Sequence, residues 1–474
     1  MYFDSEEKME INKLNTIHLK DFKKVYFLGI GGIGMSALAR YFNSVGYQVG
    51  GYDKTPSPLT DQLIQEGCEI HFEDLGGNLP QKYADKTSTL VILTPAIPND
   101  HKELNYIINA GFTILKRSEV LGLLTQSLKG LCVAGTHGKT TTSTLLAHIL
   151  HTSSWKCNAF LGGISTNFNS NLLIDESSPF AVIEADEFDR SFLRLSPFSS
   201  IITSADPDHL DIYGSEAQFQ KGFQLYAEKI SRDGFLIIKE GLPFKSFAKT
   251  ITYSVSGKSA DFLAENLRIE GTKFLMDVQF SSTKWKDVEL GVPGIHNAEN
   301  ALACIALLVS LGMNESHIRY GLKSFLGVKR RFEYIIRSEN FIYIDDYAHH
   351  PKEIRSLIDS IHLMFPKKRV MGIFQPHLFS RTNDFMNDFA EELEKLDEVI
   401  LLPIYPAREL PLEGVTSEVL LSKIGNPVKK IMNPVQVVDY ITISQCEVLL
   451  TIGAGDIDRI VPKLKEKIEM QLIK

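Results

Sequence analysis

The sequence lacks three features that would point to other classes of protein. Its five cysteines are widely spaced, odd in number and form no CxxC pair, so neither a disulfide framework nor a zinc site is expected. No stretch has the roughly 18 uninterrupted apolar residues of a membrane-spanning helix, and the acidic N-terminus has no apolar signal-peptide core. These absences predict a soluble protein that stays in the cytoplasm, without insertion into a membrane.

An excess of basic residues is also missing. The net charge of -8 argues against a broad nucleic-acid surface, so we expect no nucleic-acid partner. Hydrophobic residues make up 44% of the 474 residues and charged residues 23%, as in ordinary globular proteins. At roughly 100 to 200 residues per domain, this length predicts about three domains.

Short apolar runs alternate with amphipathic stretches, which predicts an α/β protein with parallel sheets covered by helices. KVYFLGIGG begins a first domain, GLCVAGTHGKT a second, and FIYIDDYAHHP a third. We place the domains at 1–128, 129–328 and 329–474, with 1–22 as an N-terminal extension. The expected folds are a Rossmann-like domain, a P-loop-type ATPase domain with a mainly parallel sheet, and a second Rossmann-like domain.

The first glycine motif, GxGxxG, consists of Gly29, Gly31 and Gly34 between a predicted strand and a predicted helix. Asp53 ends the next strand about 20 residues later, as in a dinucleotide-binding site. Taken alone, the pattern predicts an NAD-binding site. The diphosphate of a UDP-sugar can, however, bind to the same glycine loop and helix N-terminus. Alternatively, the same glycine pattern could serve only the packing of a tight turn, without binding a ligand.

A second glycine motif, GTHGKTT, follows an apolar strand and opens a helix. Backbone amides of such a loop can hold phosphates, Lys139 can neutralise their charge, and Thr140 can reach Mg²⁺. The match to the P-loop pattern is imperfect because Val133 stands at its first glycine position. An ordinary turn explains the six residues GTHGKT poorly.

Acidic residues end two strands of the same domain. Glu184, Asp186 and Glu187 follow one strand, and the segment DPDHLD, with His209, follows another. Carboxylates at the carboxyl ends of strands are suited to Mg²⁺, although such a histidine is as often structural as metal-binding. Together with the phosphate loop, they indicate phosphoryl transfer.

At these residues a resemblance becomes specific. GIGGIGMS, GTHGKTTT, EADEFD, DHLD, HNAENALA, KRRFE, DDYAHHP, FQPHLFSRT and GAGDI occur in the order found in the Mur ligase family and cover nearly the whole chain. The opening glycine loop, GTHGKTTT and DDYAHHP look most like the member that adds L-alanine. The resemblance implies three domains that bind, in order, UDP-N-acetylmuramate, ATP with Mg²⁺, and the incoming amino acid.

The resemblance also assigns individual residues. It implies that Mg²⁺ is held by Thr140, Glu184 and His209. It places ATP at Gly135, Thr136, His137, Gly138, Lys139, Thr140, Thr141, Asn297 and Arg331. It places the UDP-sugar and the amino acid at Gly29, Gly31, Gly32, Gly34, Met35, Ser36, Asp53, Tyr347, His377 and Arg381. The residues expected to act in catalysis are Lys139, Glu184, His209, Asp345 and His349.

Two positions depart from the family pattern. Leu378 stands where many relatives carry arginine, so His377 and Arg381 must suffice for the substrate or another residue must substitute. Sister ligases use a carbamylated lysine downstream of the DHLD-type motif, but here Phe223 falls at that position and Lys221 only lies close to it. No carbamylated lysine is therefore assigned.

The expected reaction is the ATP-dependent ligation of L-alanine to the lactyl carboxylate of UDP-N-acetylmuramate through an acyl phosphate. ADP, phosphate and UDP-N-acetylmuramoyl-L-alanine are released, in a peptidoglycan pathway that serves cell shape and division. Asp345, Asp346, His349 and His350 are candidates for the base that keeps the amine neutral. Alternatively, this cluster only caps a helix that begins at Pro351.

Three alternatives remain open. A ligase that adds a preformed peptide to the same UDP-sugar would share the motifs, and amino-acid selectivity separates it. An NAD-dependent oxidoreductase leaves GTHGKT unexplained, and a motor or switch NTPase leaves the first glycine loop and the third domain unexplained. A monomer or a weak homodimer is expected.

Overall fold

The computed structural model describes residues 17–207, 210–257, 259–271, 273–407, 409–425 and 428–472, and it contains three β-sheets. The chain divides into two compact units. Unit 1 consists of Met1–Glu265, Asp277–Val288 and Glu299–Phe325, and unit 2 of Asn266–Met276, Glu289–Ala298 and Leu326–Lys474. Most of the proposed N-terminal extension lies outside the described residues.

The first sheet, in unit 1, has five parallel strands in the order β3-β2-β1-β4-β5. The strands are β1 (Lys24–Leu28), β2 (Gln48–Tyr52), β3 (Glu69–His71), β4 (Thr89–Leu93) and β5 (Thr113–Lys116). The helices are α1 (Ile33–Ser44), α2 (Pro58–Gln65), α3 (Lys102–Ala110) and α4 (Arg117–Ser127). The predicted strand, glycine loop and helix are therefore present as β1, residues 29–32 and α1.

Both faces of this first sheet are covered. Val25 and Phe27 of β1 belong to one buried cluster, and Tyr26 and Leu28 belong to another. Since alternate side chains of a strand point to opposite faces, the continuous apolar run VYFL is what a parallel sheet buried on both sides requires.

The second sheet has ten strands in the order β15-β14-β13-β12-β11-β10-β6-β9-β7-β8. Its strands are β6 (Lys129–Ala134), β7 (Asn158–Ser165), β8 (Ser170–Leu173), β9 (Phe180–Glu184), β10 (Ser199–Ile202), β11 (Phe235–Lys239), β12 (Lys249–Ser254), β13 (Phe262–Glu270), β14 (Lys273–Phe280) and β15 (Thr283–Leu290). Its helices are α5 (Lys139–Thr152), α6 (Leu210–Tyr213), α7 (Glu216–Glu228), α8 (Ile295–Ser310) and α9 (Glu315–Ser324). Residues of β13, β14, β15 and α8 are divided between the two units.

Register aligns the ends of the central strands. Ala134 of β6 pairs with Ile202 of β10, and Val133 pairs with Glu184 of β9. The phosphate loop, the EADE segment and the segment after β10 therefore leave the sheet at the same edge, where ligands of open α/β sheets bind.

The third sheet, in unit 2, has six strands in the order β16-β17-β21-β18-β19-β20. The strands are β16 (Glu333–Arg337), β17 (Ile342–Asp346), β18 (Val370–Phe374), β19 (Glu398–Leu401), β20 (Lys429–Ile431) and β21 (Val448–Ile452). The helices are α10 (Pro351–Met364), α11 (Phe379–Asp384), α12 (Met386–Leu393), α13 (Ser417–Lys423), α14 (Pro434–Tyr440) and α15 (Val461–Leu472). All neighbouring strands are parallel except β16, which is antiparallel to β17.

Two expectations about the whole chain can be compared with the structure. All five cysteines are free and buried. In the part of the chain that the structure describes, no helix has the length and apolar character needed to span a bilayer.

Candidate active site

The first glycine loop is closed by Asp53. The amide of Gly31 donates a hydrogen bond of 2.7 Å to Asp53 Oδ2, and the amide of Thr55 donates one of 3.2 Å to Oδ1. Gly29 has φ of +87°, a conformation that favours glycine. In this structure Asp53 therefore shapes the loop itself, in addition to any contact that it makes with a ribose.

The three later glycines of this loop differ in the space around them. A Cβ on Gly31 would lie 2.7 Å from Thr60 Cγ2 and 2.9 Å from Asp53 Oδ2, and a Cβ on Gly34 would lie 2.6 Å from Arg117 Nη1. A Cβ on Gly32 would meet nothing closer than 3.5 Å. A side chain at Gly31 or Gly34 would thus displace neighbouring side chains, whereas at Gly32 it would make only ordinary van der Waals contacts.

Met35 and Ser36 were expected to bind substrate, but their side chains are buried. Met35 lies in the hydrophobic core, and Ser36 Oγ donates to the carbonyl of Ile33 and accepts from Asn171 Nδ2 at 2.9 Å. Neither side chain is available to a ligand in this structure. The backbone amide of Ser36 is also engaged, because it donates to the carbonyl of Gly32 at 2.8 Å.

The phosphate loop is held from two sides. Gly135 and Gly138 have φ of +132° and +81°. A Cβ on Gly135 would lie 2.1 Å from Thr203 Oγ1, and a Cβ on Gly138 would lie 2.8 Å from Asn300 Oδ1. Asn300 belongs to HNAENALA but was not among the residues assigned from the sequence, and its contact with the loop appears only in the structure.

The segment after β10 fixes the remaining loop residues. The amide of His137 donates to Ser204 Oγ at 2.9 Å, and Thr136 Oγ1 donates to the carbonyl of Asp206 at 2.7 Å. The His137 ring lies 3.8 Å from the Asp206 carboxylate. Thr141 is half-buried in the first turn of α5.

Lys139 is folded back onto its own loop and onto an acid. Its Nζ donates to the carbonyl of Gly135 and to Glu187 Oε1, both at 2.8 Å. Burial opposes the charged form, but the carboxylates of Glu187, Asp186 and Glu184 outweigh it and raise the pKa of Lys139. Glu187 is only 2% exposed. The sequence placed it among the carboxylates suited to Mg²⁺, but it was not assigned as an individual metal ligand.

Thr140 and Glu184, two of the three predicted metal ligands, are neighbours. Thr140 Oγ1 donates to Glu184 Oε1 at 3.1 Å, and the amide of Gly162 donates to Glu184 Oε2 at 3.1 Å. Burial raises the pKa of Glu184, so a nearby cation would stabilise its ionised form. This hydroxyl and carboxylate fit a hard cation such as Mg²⁺. His209 lies outside the described residues.

Asn297 and Arg331, the other predicted nucleotide ligands, both lie in unit 2. Asn297 Nδ2 donates to the carbonyl of Pro293 at 2.7 Å, a local contact at the start of α8. The Arg331 guanidinium lies 3.9 Å from Glu353 and 5.0 Å from the Tyr347 ring centroid. Arg330, which the sequence did not single out, lies 5.0 Å from the same ring.

Asp345 and Asp346 end β17 with unusual acidities. Burial raises the pKa of Asp345 to about 7, although Thr451 and Arg330 favour its ionised form. Burial also raises the pKa of Asp346 to about 6, against the charge of Arg331. Asp346 accepts from the amides of Phe332 and Ala348 at 2.7 and 2.8 Å, which leaves Asp345 as the better candidate for moving a proton.

Three aromatic side chains of unit 2 lie close together: those of Tyr347, His349 and His377. The two histidine rings are 6.1 Å apart, and the rings of Tyr347 and His349 are 5.3 Å apart. Burial lowers the pKa of His349 and lowers that of His377 to about 4, and Arg381 adds to both effects. Both rings are therefore neutral near pH 7. His350 instead caps α10 by accepting from the amide of Lys352, as the capping alternative predicted.

Leu378, the departure from the family pattern, has a positive φ of 67°. Its amide donates to the carbonyl of Tyr405 at 2.9 Å, and it is the N-cap of α11, which carries Arg381. A non-glycine residue at positive φ is uncommon and costs conformational energy. The conformation of this loop therefore does not arise from local backbone preference alone.

Comparison with known proteins places the chain among amide ligases. Three models match in succession: "Mur ligase family, catalytic domain" at residues 24–128, "Mur ligase middle domain" at 133–308 and "Mur ligase, glutamate ligase domain" at 330–455. The UDP-N-acetylmuramate–L-alanine ligase of Porphyromonas gingivalis is 49% identical over 94% of this chain and 99% of its own length.

Solved structures agree with this comparison. The UDP-N-acetylmuramate–alanine ligase of Thermotoga maritima has a TM-score of 0.82 and 30% identity, over 95% of this chain and 100% of its own. A murein peptide ligase of Psychrobacter arcticus has a TM-score of 0.67 at 24% identity, over 93% of this chain and 98% of its own, and shares the fold. The predicted three-domain α/β fold is confirmed.

Proposed function

The chain belongs to the Mur ligase family, and from this we propose that it joins L-alanine to the lactyl carboxylate of UDP-N-acetylmuramate in peptidoglycan synthesis. The reaction consumes ATP and releases ADP and phosphate. The observation that carries the proposal is the match over 94% of the chain, at 49% identity, to a ligase of this specificity. The phosphate loop beside Glu184 and Glu187 supports it, because a ligase that activates a carboxylate needs such a site.

Activation of the carboxylate is the first chemical step of the proposal. Hydroxide is a poor leaving group, so the lactyl carboxylate attacks the γ-phosphorus of ATP, the bond to ADP breaks, and an acyl phosphate forms. Lys139 would exchange its bonds to Gly135 and Glu187 for phosphoryl oxygens, whose charge grows toward the transition state. Thr140, Glu184 and His209 would hold Mg²⁺, which supplies Lewis-acid stabilisation when bound.

Attack by the amine is the second step. The nitrogen of L-alanine adds to the acyl carbon, phosphate leaves, and the nitrogen loses a proton. We assign the proton acceptor to Asp345 or His349, because a carboxyl with a pKa of about 7 and a neutral imidazole can each accept it near neutral pH. Tyr347, His377 and Arg381 would hold the amino acid, with Arg381 supplying a cation for its carboxylate.

The three family models match residues 24–128, 133–308 and 330–455, which supports a division of the chain into three domains. We propose domains at 1–128 for the UDP-sugar, 129–328 for ATP and 329–474 for the amino acid. Asn297 and Arg331 would contact the nucleotide. Because the reaction uses ATP, we propose that it takes place in the cytoplasm.

A direct test is the identity of the product. Purified enzyme is given ATP, Mg²⁺ and UDP-N-acetylmuramate with L-alanine, L-serine, glycine or an alanine-initiated peptide, and the products are weighed by mass spectrometry. We expect the L-alanyl adduct to form with the highest kcat/KM, with serine and glycine about ten- to two-hundred-fold poorer, since small side-chain differences discriminate by only this much. A preference for the peptide would instead support the peptide-adding ligase.

A further inference from the structure

Arg117 lies at the edge of the first sheet where the glycine loop is found. It is the first residue of α4 and directly follows β5, whose carboxyl end points to the same edge as that of β1. A Cβ added to Gly34 would lie 2.6 Å from Arg117 Nη1 and 3.0 Å from its Cζ. The guanidinium therefore packs directly on the last glycine of the GxGxxG motif.

The same guanidinium also reaches the acidic segment after β9. Its Nη2 lies 3.6 Å from Asp186 Oδ2, and its charge favours ionisation of Glu184 against the effect of burial. Asp186 and Glu184 in turn stabilise the charge of Lys139 in the phosphate loop. Within unit 1, Arg117 thus contacts both the first glycine loop and an acid beside the phosphate loop.

Its hydrogen-bonding capacity is largely unused. A distance of 3.6 Å is an ion pair without a hydrogen bond, and the Arg117 side chain donates no hydrogen bond within the described ranges. The side chain is nevertheless only 25% exposed, so solvent reaches it from a limited direction. A partly buried guanidinium with unfilled donors beside a glycine loop is suited to bidentate contact with a phosphate.

We propose that Arg117 binds the diphosphate of the UDP-sugar and so positions the acceptor between the two phosphate-binding loops. Backbone amides and the helix terminus provide only partial charge for a diphosphate, and Arg117 supplies a full one. The diphosphate is the favoured ligand group because the guanidinium lies against Gly34 of this loop. This inference rests on the proposed function and adds a residue that the sequence patterns did not indicate.

The experiment compares ligands that differ in charge. Arg117→Gln and Arg117→Lys are titrated by calorimetry with uridine, UDP, UDP-N-acetylmuramate and a non-hydrolysable ATP analogue. For Arg117→Gln we expect about ten- to a hundred-fold weaker binding of UDP and UDP-N-acetylmuramate, as for loss of a charged hydrogen bond. Binding of uridine and of the ATP analogue should change less than about threefold. Arg117→Lys should lie between Arg117→Gln and the wild type.

Lys116→Gln is the matched control. Lys116 is the neighbouring cation and pairs with Asp189 at 3.2 Å, but both side chains are well exposed, at 49% and 41%. We expect its UDP affinity to match that of the wild type. A double variant, Arg117→Gln with Asp186→Asn, separates ion pairing with Asp186 from binding of the diphosphate. It removes the negative charge that Arg117→Gln leaves without a partner, but it does not restore the positive charge.

The outcomes are distinct. UDP affinity unchanged in Arg117→Gln, an equal loss for uridine, or recovery of UDP affinity in the double variant would each overturn the assignment and leave Arg117 as a structural partner of Asp186. L-alanine ligation by the wild type is measured in parallel. If Arg117→Gln weakens UDP binding but the wild type does not ligate L-alanine, only the proposed function is rejected. If the wild type ligates L-alanine but Arg117→Gln binds UDP as tightly as the wild type, only this inference is rejected.

Discussion

Lys139 is the residue whose charge the phosphate loop and its acids are arranged to hold. We expect Lys139→Ala to lower kcat by about 10²- to 10³-fold, because its charge is needed most when the phosphoryl group is transferred. ADP release at saturating substrates measures this effect.

The control for this substitution addresses folding. Lys139→Ala leaves Glu187, which is 2% exposed, without its counter-charge, and an unpaired buried charge destabilises the folded state. Lys139→Met combined with Glu187→Gln removes both charges, so it should regain thermal stability but not turnover. A folded Lys139→Ala protein with turnover within threefold or so of the wild type would contradict the role of Lys139.

The base in the second step can be identified from the pH dependence of kcat. An Asp345 carboxyl with a pKa of about 7 must lose its proton before it can accept one, so kcat is expected to rise as the pH passes through about 7. Asp345→Asn should then remove this limb and lower kcat. If the limb instead lies below pH 6.5 and is lost in His349→Ala, His349 is the base, because burial lowers its pKa from 6.5.

The same carboxyl makes stability depend on pH. Its folded-state pKa of about 7 lies above the reference value of 3.8, so the folded state holds the proton more tightly than the unfolded chain. Its contribution to the free energy of unfolding is fully present below about pH 4 and is lost as the pH rises through about 7. In urea titrations the wild type should therefore lose stability relative to Asp345→Asn over this range, and parallel curves would contradict the raised pKa.

Sequence patterns identified individual residues unevenly. Lys139, Thr140 and Glu184 were found because a short motif or a strand end marks each of them. Arg330 lies in the motif KRRFE, but only Arg331 was assigned from it. Arg117 lies in no such motif, and its importance comes from contacts such as that with Asp186, 69 residues away in the sequence. Asp345 was predicted by its position, but its raised pKa comes from burial, which no local pattern shows.

At the scale of elements, the first glycine loop offers a test of ligand clearance. Gly31→Val would collide with Thr60 and Asp53, so it disturbs the loop whether or not a diphosphate binds there. Gly32→Ala is cleaner, because Gly32 has φ of -62° and open space for a Cβ. We expect this variant to fold normally, to bind UDP-N-acetylmuramate more weakly, and to bind an ATP analogue as the wild type does.

Calorimetry measures the affinities of the wild type and Gly32→Ala for UDP-N-acetylmuramate, NAD and an ATP analogue. Unchanged affinity for the UDP-sugar in a folded variant would mean that the diphosphate lies elsewhere. NAD bound by the wild type without competition from UDP would revive the oxidoreductase interpretation. Gly76→Ala, which also lies in the first domain, is not a suitable control, because its φ of +59° disfavours a side chain.

The strands and helices next to motifs were the most predictable elements. β1 with α1, β6 with α5, and β9, β10 and β17 each combine an apolar run with a distinctive polar end. The strands from β12 to β15 were not predicted, because in segments such as LAENLRIE and TKWKDVEL exposed polar residues interrupt the apolar ones. The antiparallel edge strand β16 was also missed, since only its pairing with β17 identifies it.

At the scale of the whole molecule, the residues of the proposed reaction are distributed over both compact units. Lys139, Thr140 and Glu184 belong to unit 1, and Asp345 and His349 belong to unit 2. Neither unit holds every residue that the reaction uses. The full chain is therefore the appropriate object for kinetic tests, and ligation should require the UDP-sugar, ATP and the amino acid together.

The most direct measurement follows oxygen atoms during ligation. UDP-N-acetylmuramate is labelled with ¹⁸O in its lactyl carboxylate and incubated with the enzyme, ATP, Mg²⁺ and L-alanine, and the released phosphate is analysed by mass spectrometry. Activation through an acyl phosphate predicts that each phosphate carries one labelled oxygen and appears in equal amount with UDP-N-acetylmuramoyl-L-alanine. Unlabelled phosphate, or phosphate released at the same rate without L-alanine, would contradict the proposed ligase reaction.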